Sequence, residues 1–384
     1  MRILHLHDAP DLLGGASIYL RSLVPALVGL GHESGIFSLE QVGGIAPLEW
    51  AWSYPATPSA LRRRRDFHGF HAPLAAALDR AVEEFQPHLL HFQNMAPFRT
   101  TLFPAAARHA LPVLMTVHDF SLDDPNPGGR PRGGLLASLK LRLDRRDLDK
   151  DRKAVFEAVD RFLCPTHALA DGLGRPDSRA HLLRLPIAPA AAAPAPTGTP
   201  ARLFFAGTLF RSKGVDLLLE ALARAGGGAR RTILEIAGHG DQRAALEAQA
   251  RALGLSERVR FLGLLDAEQM DAAYRRADLQ ILPSRVPENS PLTVLEAGAR
   301  GRPALASHAG GVPELLAPPE RGWTFRFGDV ADLAARLEEA CGNSAERARR
   351  GAAMRSWVQA EFDPEGHLSA LEAHYRDLVP SASA

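Results

Sequence analysis

Two glutamates, Glu288 and Glu296, flank the start of a helix-like run in PENSPLTVLEAGARGRPALASHAGGVPEL, residues 287–315. Ser290 is a residue type that caps helix N-termini, and Pro291 suits the first helical position, where a missing N–H costs nothing. The N–H groups that follow, at Leu292 and Thr293, then point out of the helix end, where the macrodipole favours an anion such as phosphate. Glu296 falls six residues past Ser290, ~9 Å along the axis at a rise of about 1.5 Å per residue. One carboxylate therefore reaches a group on one side of a bound phosphate, and the other reaches a group on the far side. A nucleotide sugar is laid out in that way: sugar hydroxyls, diphosphate, ribose hydroxyls.

Other segments carry matching chemistry. FFAGTLFRSKGVDLLLEAL (204–222) is a strand that turns at Gly207 and enters a helix, with Arg211 and Lys213 as cations in the corner. A nucleoside diphosphate gains negative charge as it leaves, so cations and N–H donors aimed at it stabilise the transition state more than the ground state. EIAGHGD (235–241) closes a strand with Gly238 and Gly240, which allow close backbone approach, and RFLG (260–263) carries Leu262. Gly14 and Gly15 follow the first strand and precede a helix bearing Leu20, Leu23, Val24 and Leu27, which Pro25 is expected to kink. The G-x-G-x-x-G dinucleotide fingerprint is absent there. His118 ends the strand MTVHD, and Asp119 beside it is a candidate to orient the imidazole or to reach an acceptor. His5 and His7 share a strand face without a third ligand, and no clustered carboxylates, Walker A, Gly-x-Ser-x-Gly or HExxH sequence appears, so no metal site is expected.

The elements that must position these residues follow from periodicity. Apolar runs recur at 2–8, 88–94, 112–120, 161–167, 201–209, 232–240, 259–265, 279–284 and 303–307. Helical patterns such as Val215, Leu218, Leu219 and Leu222 lie between them. Strands buried on both faces and alternating with helices predict parallel α/β sheets, in which ligands bind beyond the carboxyl ends of the strands. The chain, 384 residues long, exceeds one ordinary core. PIAPAAAAPAPTGTP at 186–200 holds five prolines and reads as an extended break. The expected organisation is an N-terminal domain over 1–188, a linker over 189–200 and a C-terminal domain over 201–361. An amphipathic segment over 362–384 follows, with Phe362, Leu368, Leu371, Tyr375 and Leu378 on one face.

Lys plus Arg total 45 against 44 Asp plus Glu, so no global field argues for nucleic acid. Cys164 and Cys341 form no metal or disulfide pattern, which suits a reducing cytoplasm. No signal peptide or spanning apolar run is read, so the expected location is cytoplasmic, with Arg62–Arg65 as the candidate surface for a membrane face. KLRLDRRDLDKDRK (140–153) reads as a solvated helix, and DDPNPGGRPRGG (123–134) as an acceptor loop or lid.

The Glu-x7-Glu spacing, followed by EAGARGRPALAS and AGGVPEL, resembles the donor site of the retaining GT-B glycosyltransferases of family 4. The resemblance implies two Rossmann-like α/β domains with parallel sheets facing a central cleft, the C-terminal helix packing back on the first. It implies transfer of a hexose from a UDP- or GDP-linked sugar to a hydroxyl acceptor (glycan, lipid-linked or small-molecule), as in polysaccharide biosynthesis, without cofactor or metal. By the same resemblance Glu288 positions the transferred sugar, Glu296 meets the ribose, and Asn289, Ser290, Pro291 and Leu292 surround the diphosphate. The 207–214 turn is similar to the family's G-R-L-x-x-x-K-G, with Lys213 and Gly214 in register. It departs at Thr208, where the family has Arg, and Arg211 is the nearest substitute. Gly238 and Gly240 would lie beside the nucleoside and Leu262 along the base. Gly14 and Gly15 would form the opposing glycine loop, and His118 would touch the sugar. Two rivals remain: a nucleotide-sugar epimerase on the same scaffold, which needs no acceptor, and a non-catalytic nucleotide-sugar binding protein, which binds without turnover.

Overall fold

Apolar runs bounded by Gly or polar turns become short strands, most of them buried on both faces, and among the described residues every strand pair is parallel. The computed structural model describes all residues except 9–13, 40–48, 55–68, 96–97, 124–134, 174–177, 195–200 and 380–384. Arg62–Arg65 and residues 124–134 of the expected acceptor loop therefore lie outside the described residues. The chain divides into two units, Met1–Leu185 with Glu365–Ala384, and Pro186–Pro364.

The first unit holds β1 (Arg2–His7), β2 (Glu33–Ser38), β3 (Trp50–Ser53), β4 (Leu89–Asn94), β5 (Val113–Thr116), β6 (Arg161–Cys164) and β7 (Ala180–Leu182), in the order β3-β2-β1-β4-β5-β6-β7. Strand alternation sorts its side chains cleanly. Leu4, Leu6, Leu90, Phe92, Val113 and Met115 enter one core. Ile3, Leu89, Leu114 and Leu163 enter another, closed by the helix Gly15–Gly29 and by Leu371 and Tyr375 of the C-terminal helix Pro364–Leu378. The first of these helices runs through Pro25 without ending. The basic run at 140–153 belongs to the helix Leu135–Ala158 and is not wholly solvated. Asp147 and Asp151 are buried, and Arg152 donates to the Leu122 and Leu173 carbonyls.

The second unit holds β8 (Arg202–Ala206), β9 (Ile233–Ala237), β10 (Val259–Gly263), β11 (Leu279–Leu282), β12 (Ala304–Ser307) and β13 (Gly322–Phe325), ordered β10-β9-β8-β11-β12-β13. The proline-rich stretch has no regular secondary structure over 186–194 but is docked on this unit. Ile187 is buried, its N–H bonds the Phe362 carbonyl at 2.9 Å, and Ala193 N–H bonds the Arg300 carbonyl at 2.9 Å. Phe362 packs with Met354 and Val358 in the core of this same unit, whereas Leu371 and Tyr375 pack in the first. The amphipathic segment is thus shared between the units rather than given wholly to one. Cys164 and Cys341 are free and buried, and burial pushes each thiol up to about 12. Among the described residues no helix is long and apolar enough to cross a membrane.

Candidate active site

Strand order in the second sheet reverses between β8 and β11, which leaves a crevice beyond their carboxyl ends. The chain leaving β8 forms a short helical turn, Arg211–Lys213, closed by Gly214 at φ 69°. A Cβ on Gly214 would stand 2.0 Å from the Pro283 carbonyl oxygen, so only glycine lets this turn press on the end of β11. That contact sets the position of Lys213. Its Nζ donates to Glu288 Oε1 at 2.8 Å, and Ser284 Oγ donates to the same oxygen at 2.5 Å. The Glu288 backbone is fixed as well, bridging Gly310 in parallel and accepting from the Gly311 N–H at 2.8 Å. Among the described residues no partner is seen for Glu288 Oε2. One carboxylate oxygen is thus anchored by two donors.

Lys213, expected on a diphosphate, is thus ion-paired with Glu288. An ammonium has three donors, so the pair leaves two for an anion. Arg211 is exposed on the same turn.

The helix after Glu288 starts one residue later than its sequence implies. It spans Leu292–Ala299, with Pro291 in the cap position at φ −65° and ψ 111°, and no side chain caps it. Ser290 lies outside the cap and too early to reach the first N–H groups. Its Oγ is buried and, among the described residues, has no hydrogen-bond partner. The first N–H groups of the helix, from Leu292 on, lack intrahelical acceptors by geometry. Asn289 beside them is buried.

Glu296 accepts from the Tyr274 hydroxyl at 2.7 Å, and burial raises its pKa, opposed by that bond and by Arg300. Tyr274 meets Phe204 edge-on at 5.2 Å and carries the Arg300 guanidinium over its ring at 5.1 Å. Leu262 packs in the same apolar cluster, which places it on the wall that holds Glu296. No motif announces Tyr274; it is one aromatic in an ordinary amphipathic helix.

The three glycines gather where β8 and β9 end. Gly207 N–H bonds the Ala237 carbonyl at 3.1 Å. A Cβ on Gly238 would fall 1.8 Å from the Gly207 oxygen, and one on Gly240 would fall 2.5 Å from the Leu209 carbonyl.

In the first unit Gly14 caps the helix that begins at Gly15. His118 lies two residues past the end of β5, half-buried, with Nε2 3.2 Å from Gln93 Oε1. Burial first, and His7 second, push its pKa down to about 3. The ring is therefore neutral at physiological pH, suited to hold a hydroxyl rather than to deliver a proton. Asp119, expected to orient this imidazole, instead uses Oδ1 to accept the Ser121 N–H at 2.8 Å. The orienting contact comes from Gln93, which carried no sequence signal. His7 bonds Asp8 at 3.0 Å and Ser17 at 3.2 Å, so hydrogen bonds occupy both ring nitrogens.

Residues 13–191 match the sequence model of Glycosyltransferase Family 4, and residues 191–357 match that of Glycosyl transferases group 1. A glycogen synthase of Mycobacterium tuberculosis is 37% identical over 172 residues, covering 45% of this chain and 41% of that protein. The match thus spans less than half of that relative's length. Among solved structures, a sucrose-phosphate synthase from Thermosynechococcus elongatus superposes with a TM-score of 0.79 at 19% identity, covering 98% of this chain and 99% of the other. The Anabaena HepE protein in complex with UDP and glucose gives 0.76 at 17% identity, covering 98% and 100%. At these identities the likeness is one of fold, and the fold is GT-B. Since the two sequence models together take in residues 13–357, the chain belongs to the group 1, family 4 glycosyltransferases.

Proposed function

We propose that the chain moves a hexose from a UDP- or GDP-linked sugar to a hydroxyl acceptor, with retention of anomeric configuration and without a metal. The arrangement of Glu288 carries this reading: one oxygen is held by Lys213 and Ser284 while, among the described residues, the other has no partner. A buried hydroxyl with no partner costs about 1–3 kcal/mol, and a phosphate oxygen at the start of the Leu292–Ala299 helix would satisfy Ser290 Oγ. The helix N–H groups, Lys213 and Arg211 would then neutralise the leaving diphosphate without Mg²⁺ or Mn²⁺. Glu296 and Tyr274 would hold the ribose, with Leu262 along the base. Glu288, already bonded to a cation and a hydroxyl, serves better as a fixed acceptor for sugar hydroxyls than as a covalent nucleophile. Attack by the acceptor on the face the diphosphate leaves gives retention.

The test has two parts. The product's anomeric proton, followed by NMR, should show the donor's configuration, and activity should persist in EDTA. An inverted product, or activity lost in EDTA and restored by Mn²⁺, would overturn the reading.

Glu296 supplies a separate check. Its folded pKa is raised, so it favours the fold in its protonated form, and that contribution is lost as pH rises through the folded pKa. Glu296→Gln keeps an acceptor for Tyr274 without a charge to bury. Its melting temperature at pH 7 should equal or exceed that of the parent, and the gap should close as pH falls through the carboxylate range. Nucleotide affinity should fall in the same variant. A less stable protein at pH 7 with unchanged affinity would make Glu296 merely structural.

A further inference from the structure

The sheet face that packs on the C-terminal helix through Leu371 and Tyr375 turns polar toward the ends of β4 and β5, where His91, Gln93 and Thr116 follow Leu89 and Leu114. His91 lies between two hydroxyls. Its Nδ1 is 2.7 Å from Tyr375 Oη and its Nε2 is 2.8 Å from Thr116 Oγ1. Gln93 Nε2 stands 3.2 Å from both ring nitrogens, a position over the ring rather than in its plane. An amide N–H is attracted to that electron-rich face and a carbonyl oxygen is not, which fixes the sense of the amide. Gln93 Oε1 then turns to His118, 3.2 Å from its Nε2. An amide oxygen only accepts, so His118 Nε2 carries the proton and Nδ1 is the acceptor nitrogen.

A second arm reaches the same ring. His367 of the C-terminal helix donates from Nδ1 to the Arg184 carbonyl at 2.7 Å, because a carbonyl cannot donate. Its Nε2 therefore accepts from the Tyr19 hydroxyl at 2.9 Å, and the Tyr19 ring packs 5.6 Å from that of His118.

We propose that the C-terminal helix positions His118, holding it as the Nε2–H tautomer through Tyr375–His91–Gln93 and fixing its ring plane through His367–Tyr19. The effect on turnover rests on the reading of His118 as a contact to the transferred sugar. Gln93 and Tyr375 are positioning residues, acting on substrate only through that imidazole.

Gln93→Leu removes the accepting oxygen at similar volume, and Tyr375→Phe removes one hydroxyl. Long-range proton–nitrogen NMR of the histidine rings, assigned by the signal lost in His118→Ala, reads the tautomer directly. The parent should show a single Nε2–H form, Gln93→Leu a mixture, and Tyr375→Phe a smaller change in the same sense. Nucleotide release from UDP-glucose or GDP-mannose should show kcat lowered on the order of 10-fold in Gln93→Leu with donor KM little changed, since misplacement by about 1 Å can cost ~100-fold. An unaltered Nε2–H tautomer in Gln93→Leu overturns the proposal. Full activity of His118→Ala would instead sink the sugar-contact reading alone, because the tautomer is read without turnover.

Discussion

Glu288→Gln should lower turnover by at least ~100-fold, the scale set by removing one preorganised transition-state group. Glutamine matches glutamate in size and retains one oxygen that can accept from Ser284 and Lys213. It loses the charge that makes Glu288 a strong acceptor for sugar hydroxyls and for the positive character that grows at the anomeric carbon. The melting temperature should barely move. Lys213 and Glu288 are each partly solvated, with 28% and 16% of their side chains exposed. A pair of that kind contributes at most about 1 kcal/mol, and the freed ammonium can resolvate. Steady-state kinetics and a thermal melt on the same preparation check both halves. Near-parental rates in the glutamine variant would remove Glu288 from the chemistry.

The fold was legible because buried parallel strands write themselves as continuous apolar runs. RILHLH, LLHFQN and LQIL are readable at sight. Four strands escape, two of them because their environment asks less of them, while the edge strand Gly322–Phe325 reads only GWTF although three of its four residues are buried. Trp50–Ser53 and Ala180–Leu182 lie at the two edges of their sheet, each with one neighbour, and neither contains a fully buried residue. Glu33–Ser38 is central but reads ESGIFS, because Gly35 is needed where Phe85, Trp52 and Leu4 each come within about 3.3 Å of its missing Cβ. After Glu288, helix-start chemistry found the helix but placed its cap one residue early. Proline's fixed φ suits the half-helical cap as well as the first helical turn, and nothing in the sequence separates the two. Tyr274 on Glu296 and Gln93 on His118 were invisible for another reason. Such partners meet only through the tertiary fold, 22 and 25 residues apart, and a lone Tyr or Gln in an ordinary element carries no pattern. The Lys213–Glu288 pair spans 75 residues, and both members were visible one at a time. Their contact was not.

That contact makes Lys213→Ala more informative than a phosphate contact alone would be. If Lys213 meets the donor diphosphate with the donors Glu288 leaves free, its loss should weaken nucleoside diphosphate binding roughly 10- to 150-fold, the equivalent of about 1.5–3 kcal/mol for a charge-assisted bond. Binding of uridine or guanosine, which lack phosphate, should be nearly unchanged. The same substitution releases Glu288 Oε1 from one of its two donors, so turnover should fall further than binding does. Lys213→Ala and Glu288→Gln should then be non-additive, with a coupling of about 0.5–3 kcal/mol between groups in direct contact. Calorimetry on UDP, GDP and their nucleosides, with kinetics on both single variants and the double, measures each quantity. Arg211→Ala in parallel tells whether the exposed arginine of the same turn has taken the place of the cation missing at Thr208: a comparable loss on the diphosphates alone would say that it has. Equal losses on nucleosides and diphosphates in Lys213→Ala would mean that Lys213 holds Glu288 in place and does not touch phosphate.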